Sequence, residues 1–156
     1  MRKSTYYKKR EHEPDHKYGR VSIARFINYL MKGGEKNVAQ KAFYEAMDKI
    51  EDTLDQKPEE IFEKALNNAS PRKEVVSRRI GGANYQIPRD VRPERKFYLA
   101  CKWVIDSARS KSGSPLHQNL ADEIIAAYNN EGAAIKKKQE MHRMAEANRA
   151  FASFLR

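Results

Sequence analysis

The chain has 156 residues, a formal net charge of +10 and one cysteine, Cys101. A single cysteine excludes an intramolecular disulfide and any zinc site built on several cysteines, and it makes a reduced, cytosolic setting the expectation. No apolar run reaches the length of a signal peptide or membrane span, and the excess positive charge predicts an anionic partner.

The positive charge is concentrated in two segments. Residues 1–20 carry a net charge of +4 and residues 71–112 carry +7, whereas residues 21–70 carry −2 and residues 113–156 carry +1. We therefore expect an anion-binding surface built from a basic N-terminal arm at 1–20 and the central third of a single domain at 21–156. The arm has no apolar period and is predicted to be extended until it meets a partner.

Three helices are predicted between residues 22 and 70. The first is expected to stop at Gly33-Gly34, and its apolar residues recur at helical spacing: Ile23, Phe26, Ile27 and Leu30. A second helix, over about residues 38–54, carries carboxylates on its outer face. Pro58 suits the first turn of a third helix, which Ser70-Pro71 ends.

The period of the sequence changes from 3.6 to 2 in EVVSRRIGGANYQIPRDV, at about residues 74–91. Two glycines at 81 and 82 tolerate the positive φ angles of a tight turn, so this segment is predicted to be a β-hairpin. With the glycines as the loop, the facing pairs are Glu74 with Arg89, Val76 with Ile87 and Arg78 with Tyr85; a longer loop reaching Asn84 would shift the register. Few apolar residues are available to dock either face in a core.

Three further helices are predicted after the hairpin. Pro93 opens the fourth, Ser114-Pro115 caps the fifth, and Gly132 separates the fifth from a sixth that begins near Ala133. The predicted fold class is therefore mainly α, a six-helix domain with one protruding β-hairpin between helices three and four and an extended basic N-terminal arm.

Catalytic signatures are missing from the sequence. The histidines fit no metal-ligand spacing: His12, His16, His117 and His142. Cys101 lies on an apolar helix stripe, KGGEKN at residues 32–37 lacks phosphate-loop spacing, and the carboxylates of residues 45–63 fall on exposed helix faces. A small hydrolase would need catalytic residues that we do not find.

Basic residues mixed with aromatic ones favour nucleic-acid binding. In RKSTYYKKR, Tyr6 and Tyr7 offer rings on which bases can stack, although a solubilising tail explains this stretch almost as well. The hairpin has arginines on both faces, and a charged two-stranded ribbon fits a nucleic-acid groove. VRPERK in helix four and IKKKQ in helix six add further cations. A helical DNA-binding regulator is the alternative, but the acidic outer face of helix two would read a major groove poorly.

Three stretches together resemble the family of ribosomal protein seven of the bacterial small subunit. They are FINYLMKGGEKNVAQKAFYEAM, SRRIGGANYQIPRDVRPERK and GAAIKKKQEMHRMAEANRAF, and the resemblance covers about residues 13–152. It implies a structural, non-enzymatic protein without an obligatory cofactor, a primary binder of the 3′ major domain of small-subunit ribosomal RNA that nucleates assembly of the subunit head. The hairpin would lie near the decoding region beside the exit-site transfer RNA, and the neighbours would include ribosomal proteins nine and eleven of the same subunit.

The RNA-binding candidates come from this resemblance and from the charge distribution. The resemblance supplies those of the hairpin and of helices four and six: Ser77, Arg78, Arg79, Gly81, Gly82, Tyr85, Gln86, Arg92, Arg95, Lys96, Lys136, Lys137, His142, Arg143 and Asn148. The basic segments add the rest: Arg2, Lys3, Lys8, Lys9, Arg10, Lys17, Arg20, Arg72 and Lys102.

The sequence departs from the family pattern at three places. Val76 stands where relatives commonly have lysine, which removes one expected phosphate contact. Residues 1–12 align poorly with the family. The chain ends in SFLR, where relatives often have an aromatic-rich tail.

Overall fold

A computed structural model of the chain describes residues 12–155, which form six α-helices, one two-stranded sheet and a short 3₁₀-helix. The elements in chain order are α1 (Val21–Leu30), α2 (Lys36–Leu54), α3 (Pro58–Ala69), β1 (Lys73–Ile80), β2 (Ala83–Asp90), α4 (Pro93–Ser110), α5 (Leu116–Tyr128), α6 (Gly132–Ala147) and the 3₁₀-helix Arg149–Leu155. The predicted mainly α fold with a hairpin between the third and fourth helices is confirmed. Within the described part of the chain, no helix is long and apolar enough to cross a lipid bilayer.

Four helices pack around α5, namely α2, α3, α4 and α6, and α1 packs on α2 and α4. Three fully buried phenylalanines, Phe26, Phe43 and Phe62, join the first three helices, with ring centroids 5.0–5.4 Å apart. Edge-on and tilted aromatic contacts at this distance add to the stabilisation that burial of the rings provides. The apolar stripes of the sequence therefore meet in one core.

Two predicted helix ends differ in detail. Helix α1 ends at Leu30 because Met31 is already extended, and Gly33 and Gly34 instead form the following turn at φ angles of +65° and +85°. Ser114 does not cap α5 with its side chain. The loop before α5 is held instead by Asn119, whose amide donates to the backbone oxygens of Lys111 and Ser114.

The N-terminal segment from residue 15 to residue 20 packs on the domain, which differs from the extended arm expected for 1–20. Asp15 is buried and accepts hydrogen bonds from two backbone N–H groups of its own turn and, at 2.7 Å, from the hydroxyl of Tyr44. Burial and the Asp15 carboxylate raise the pKa of Tyr44 to about 12. One aspartate thus turns this segment back onto α2. Residues 1–11 lie outside the described residues.

The hairpin has the register predicted for a two-residue loop. Glu74 pairs with Arg89, Val76 with Ile87 and Arg78 with Tyr85. Its root is better anchored than the few apolar residues suggested, because Ile87 and Pro88 are buried and both strands contact α6. The 3₁₀-helix after α6 packs on β2 as well. The outer half of the hairpin is largely exposed.

Candidate nucleic-acid interface

The hairpin tip is a tight turn that carries arginines on both faces of the ribbon. Gly81 and Gly82 have φ angles of +58° and +89°, the positive values that a two-residue type I′ turn requires and that L side chains rarely adopt. Arg78 and Arg79 are exposed and, as neighbours along one strand, point to opposite faces. Ser77 and Gln86 face each other across the strands and are also exposed. The tip therefore offers donors on each side to an anion lying along it.

At the root of the hairpin, one buried carboxylate joins two arginines. Oε1 of Glu74 accepts hydrogen bonds from Nε and Nη2 of Arg89 at 2.9 and 2.7 Å, and Oε2 accepts one from Nε of Arg95 at 3.3 Å. Arg89 lies on β2 and Arg95 in the first turn of α4. Sequence reasoning paired Glu74 with Arg89 but did not foresee the link to α4, because that link depends on how the hairpin packs.

A cleft of about 760 Å³ opens between the hairpin root, α1 and α4. Four arginines line it, together with two tyrosines and three carboxylates: Arg25, Arg89, Arg92, Arg95, Tyr29, Tyr98, Glu74, Asp90 and Glu94. We call this the arginine cleft. One of the two tyrosines stacks on an arginine of the cleft: the Arg95 guanidinium lies 5.3 Å from the Tyr98 ring centroid. The cleft can therefore receive an anionic group such as a phosphate.

Arg25 is a residue of this cleft that sequence reasoning missed. Its guanidinium lies 4.6 Å from the ring centroid of Phe97, and its Nε is buried with no hydrogen-bond partner in the described part of the chain. Arg25 escaped notice because it belongs to a segment of net negative charge. The sequence offered one signal, namely that Arg25 is the single charged residue of the helix VSIARFINYL.

Helix α6 is attached to the hairpin root through a histidine. The backbone N–H of Arg72 donates to Nε2 of His142 at 2.9 Å, so this nitrogen acts as an acceptor and the imidazole is neutral. Burial lowers the pKa of His142, and the positive charges of Lys138, Arg72 and Lys73 lower it further. His142 thus contributes to the attachment of α6, and its Nε2 is already occupied.

Lys138 makes a second attachment, since its Nζ donates to the backbone oxygen of Asn68 at 2.5 Å, at the end of α3. Burial, followed by the charge of Arg72, lowers the pKa of Lys138. The exposed cations of α6 lie elsewhere on the helix: Lys136 and Arg143 line a shallow concavity of about 300 Å³ together with Gln139 and Glu140. Lys137 is half-buried.

The C-terminal end of α6 turns toward the hairpin. Asn148 follows the helix and donates its side-chain amide to the backbone oxygen of Met144 at 2.8 Å. In the 3₁₀-helix, the ring of Phe151 packs edge-on against the ring of Tyr85, with centroids 5.3 Å apart. Asn148 and Tyr85 therefore both make contacts within the protein, and Tyr85 is half-buried.

The remaining candidates divide between exposed residues and residues engaged within the chain. Arg72, Arg92 and Lys102 are exposed near the hairpin root or on α4, and Lys96 is half-buried in the first turn of α4. Lys17 and Arg20 form ion pairs with Asp48 and Glu63, at 2.6 and 2.7 Å, on the side of α2 and α3. The arm candidates lie outside the described residues: Arg2, Lys3, Lys8, Lys9 and Arg10.

The described residues contain neither a reactive thiol nor a cluster of metal ligands. Cys101 is fully buried, and this burial raises the pKa of its thiol, which keeps it in the unreactive protonated form. Among residues 12–155, no three His, Cys, Asp or Glu side chains come together in a group that could hold a metal ion. The features brought together here are cations, aromatic rings and a protruding ribbon, which suit binding of a polyanion.

Known proteins resemble this chain over nearly its whole length. The model of the family described as Ribosomal protein S7p/S5e matches residues 1–149. The protein named Small ribosomal subunit protein uS7 of Thermotoga neapolitana is 49% identical over 146 residues, which is 94% of each chain. Proteins of the same name from Thermomicrobium roseum and Teredinibacter turnerae are 50% and 46% identical, over 95% and 94% of each chain.

Proposed function

The chain belongs to the Ribosomal protein S7p/S5e family, and we propose that within the small ribosomal subunit it binds the 3′ major domain of the ribosomal RNA directly. Membership of the family makes it a structural, non-enzymatic, RNA-binding protein of the cytoplasmic ribosome. The finer proposal is that it binds this RNA domain as a primary protein and nucleates assembly of the subunit head.

One observation carries the proposal: the hairpin that bears Arg78 and Arg79 begins and ends beside α4 and α6, which carry further cations. The exposed Arg78 and Arg79 lie on the ribbon, the arginine cleft lies at its root, and α6 is attached beside it through His142. Guanidinium groups can grip phosphate oxygens bidentately, and half or more of the hydrogen bonds in nucleic-acid complexes go to the backbone. Such a surface suits recognition of RNA by its shape and its phosphates.

The proposal extends to the surroundings of the hairpin in the ribosome. We expect its tip to lie near the decoding region beside the exit-site transfer RNA, with ribosomal proteins nine and eleven of the small subunit as neighbours. The two glycines of the turn leave the tip narrow, and a Cβ at either would have open space around it. A slender tip with cations on both faces can lie between two RNA strands.

Binding of duplex DNA is the weaker alternative. Helix α2 follows the turn after α1, as a recognition helix would, but four carboxylates line its outer side: Glu45, Asp48, Glu51 and Asp52. Negative charge on that side repels phosphates, and the cations lie instead at the hairpin root and on α6.

The test measures binding of the purified chain to a transcript of the 3′ major domain, with a 5′-domain transcript of matched length as the control. We expect strong preference for the 3′ transcript at every salt concentration. By analogy with DNA, six to ten phosphate contacts lower the affinity on the order of a thousandfold or more between about 50 and 200 mM salt. Equal affinity for both transcripts, or tighter binding to duplex DNA, would contradict the proposal.

A further inference from the structure

The most unusual residue of the hairpin is a buried carboxylate in the midst of cations. Glu74 is only 5% exposed, although it belongs to a two-stranded ribbon whose other charged residues are exposed. Burial of a carboxylate is unfavourable unless charges and hydrogen bonds compensate for the lost water. A negative charge also works against a surface that binds phosphates, so its presence at this position needs a reason.

The hydrogen bonds of Glu74 supply that reason. Through Oε1 it accepts two bonds from Arg89 on the opposite strand, and through Oε2 it accepts one from Arg95 on α4. The carboxylate therefore links the two strands of the hairpin to each other and to α4, in addition to the contacts that the strands make with α6. Without its charge, Arg89 and Arg95 would repel each other across the arginine cleft.

Both arginines keep donors for a ligand while they are held. Their side chains are 48% and 49% exposed, and Glu74 occupies only the Nε of Arg95, one of five N–H donors on a guanidinium. Arg95 is held from the other side as well, because its guanidinium stacks on Tyr98. The cations are thus oriented before a phosphate arrives.

We propose that Glu74 is a positioning residue of the RNA-binding surface, which fixes the angle between hairpin and helical domain and orients Arg89 and Arg95 for phosphates. This inference rests on the proposed RNA-binding function for its effect on affinity. The geometric part, a fixed hairpin angle, concerns the free protein alone.

The test is the variant Glu74→Gln, which keeps the shape of the side chain and removes its charge. If charge alone mattered, loss of a negative group would tighten RNA binding. If Glu74 positions the arginines, its substitution should instead weaken binding to the 3′ transcript about tenfold. A tenfold change corresponds to about 1.4 kcal/mol of binding free energy. The matched control is Asp90→Asn, an exposed carboxylate of the same cleft, which should bind equally well or more tightly.

A second measurement follows the hairpin angle without RNA. Spin labels at Asn84→Cys, near the tip, and Gln118→Cys, on α5, give a distance distribution, and native Cys101 is fully buried and stays unlabelled. We expect a narrow distribution for the parent protein and a broad one for Glu74→Gln. Arg95→Gln, which breaks only the link to α4, should broaden it too and is used for this measurement only.

Unchanged or tighter RNA binding by Glu74→Gln, or an unchanged distance distribution, would overturn the inference. Should the parent protein fail to bind the 3′ transcript, the proposed function falls, and the distance distributions alone still decide whether Glu74 fixes the hairpin. If Glu74→Gln does not fold, Arg95→Gln gives the same geometric answer from the exposed partner.

Discussion

The helical domain and the hairpin each contain one buried glutamate, and the two glutamates have different hydrogen-bond partners. Glu123 on α5 is 1% exposed and accepts the backbone N–H of Ala134 at 2.9 Å, so it caps the start of α6 inside the core, with Lys111 at 3.2 Å. Glu74 instead accepts hydrogen bonds from two arginine side chains that line the cleft. Glu123 lies within the apolar packing of the helices, whereas at the hairpin root ionic hydrogen bonds are added to the apolar contacts of Ile87 and Pro88.

We therefore expect the core of the helical domain to determine the stability of the fold and the hairpin to determine RNA binding. The first prediction concerns stability. Phe62 is fully buried between Phe26 and Phe43, so Phe62→Ala removes a ring from the centre of the core. We expect the free energy of unfolding to fall by about 3–5 kcal/mol, measured by urea denaturation. Val38→Ala, at a position 64% exposed, is the control and should change it by less than about 0.5 kcal/mol. A loss at Phe62 as small as the control would contradict a phenylalanine-centred core.

The second prediction tests the binding side with the double variant Arg78→Ala and Arg79→Ala. Hydrogen bonds to charged groups contribute about 1.5–3 kcal/mol each, and exposure lowers that value, so we expect a total loss of about 2–3 kcal/mol in RNA-binding free energy. The salt dependence should become shallower by about one contact per arginine. Binding to the 3′ transcript measures both quantities.

The thermal midpoint of the same double variant is the internal control. It should stay at the parent value because both arginines are exposed on the outer hairpin and the core does not include them. Full RNA affinity with both arginines removed would take the hairpin out of the binding surface.

The sequence predicted local features well and packing poorly. Gly81-Gly82 tolerate positive φ angles, so a two-residue loop was one of the two loops predicted, and the structure has that loop and its register. The link from Glu74 to Arg95 joins residues 21 positions apart on different elements, and no periodicity reports such a contact. Arg25 lies in a segment of net negative charge, and its place in the cleft likewise depends on how α1 meets α4.

Several predicted RNA contacts turned out to have partners within the protein. Lys17 and Arg20 pair with Asp48 and Glu63, and His142 accepts the Arg72 N–H. Charge counting treats every cation alike, because whether a carboxylate from another helix lies beside it is decided only by the fold. The roles of the exposed candidates in RNA binding stay predictions.

The third prediction returns to the buried glutamate of the helical domain. Gly132 begins α6 at a φ of +89°, and a Cβ there would come within 2.9 Å of the Glu123 Oε1 and 3.0 Å of the Ala126 Cβ. Gly132→Ala should therefore lower the free energy of unfolding by about 1–3 kcal/mol beyond the backbone strain. Urea denaturation measures the loss.

Gly113→Ala is the matched control for this substitution. Gly113 has the same φ of +89°, but a Cβ there would meet nothing within 4 Å, so only the backbone strain of about 1 kcal/mol is expected. Equal losses in the two variants would mean that the contact with Glu123 does not constrain the start of α6.

The fourth prediction concerns His142, the junction between the helical domain and the hairpin, and its effect is the smallest because one hydrogen bond is involved. Burial and the charges of Lys138, Arg72 and Lys73 lower the pKa of His142 below its ordinary 6.5, so on acidification the unfolded chain takes up this proton before the folded one. The stabilisation is complete above the unfolded pKa of about 6.5 and is lost as the pH falls through the lowered folded value.

His142→Gln keeps an acceptor for the Arg72 N–H and cannot titrate, so the parent protein should lose more stability than this variant when the pH is lowered from about 7.5 to 5. Urea midpoints at both pH values measure the difference, with His16→Gln, at an exposed position, as the control that should follow the parent. If His142→Gln follows the parent as well, protonation of His142 does not weaken the junction, and the acid sensitivity of the fold arises at other groups.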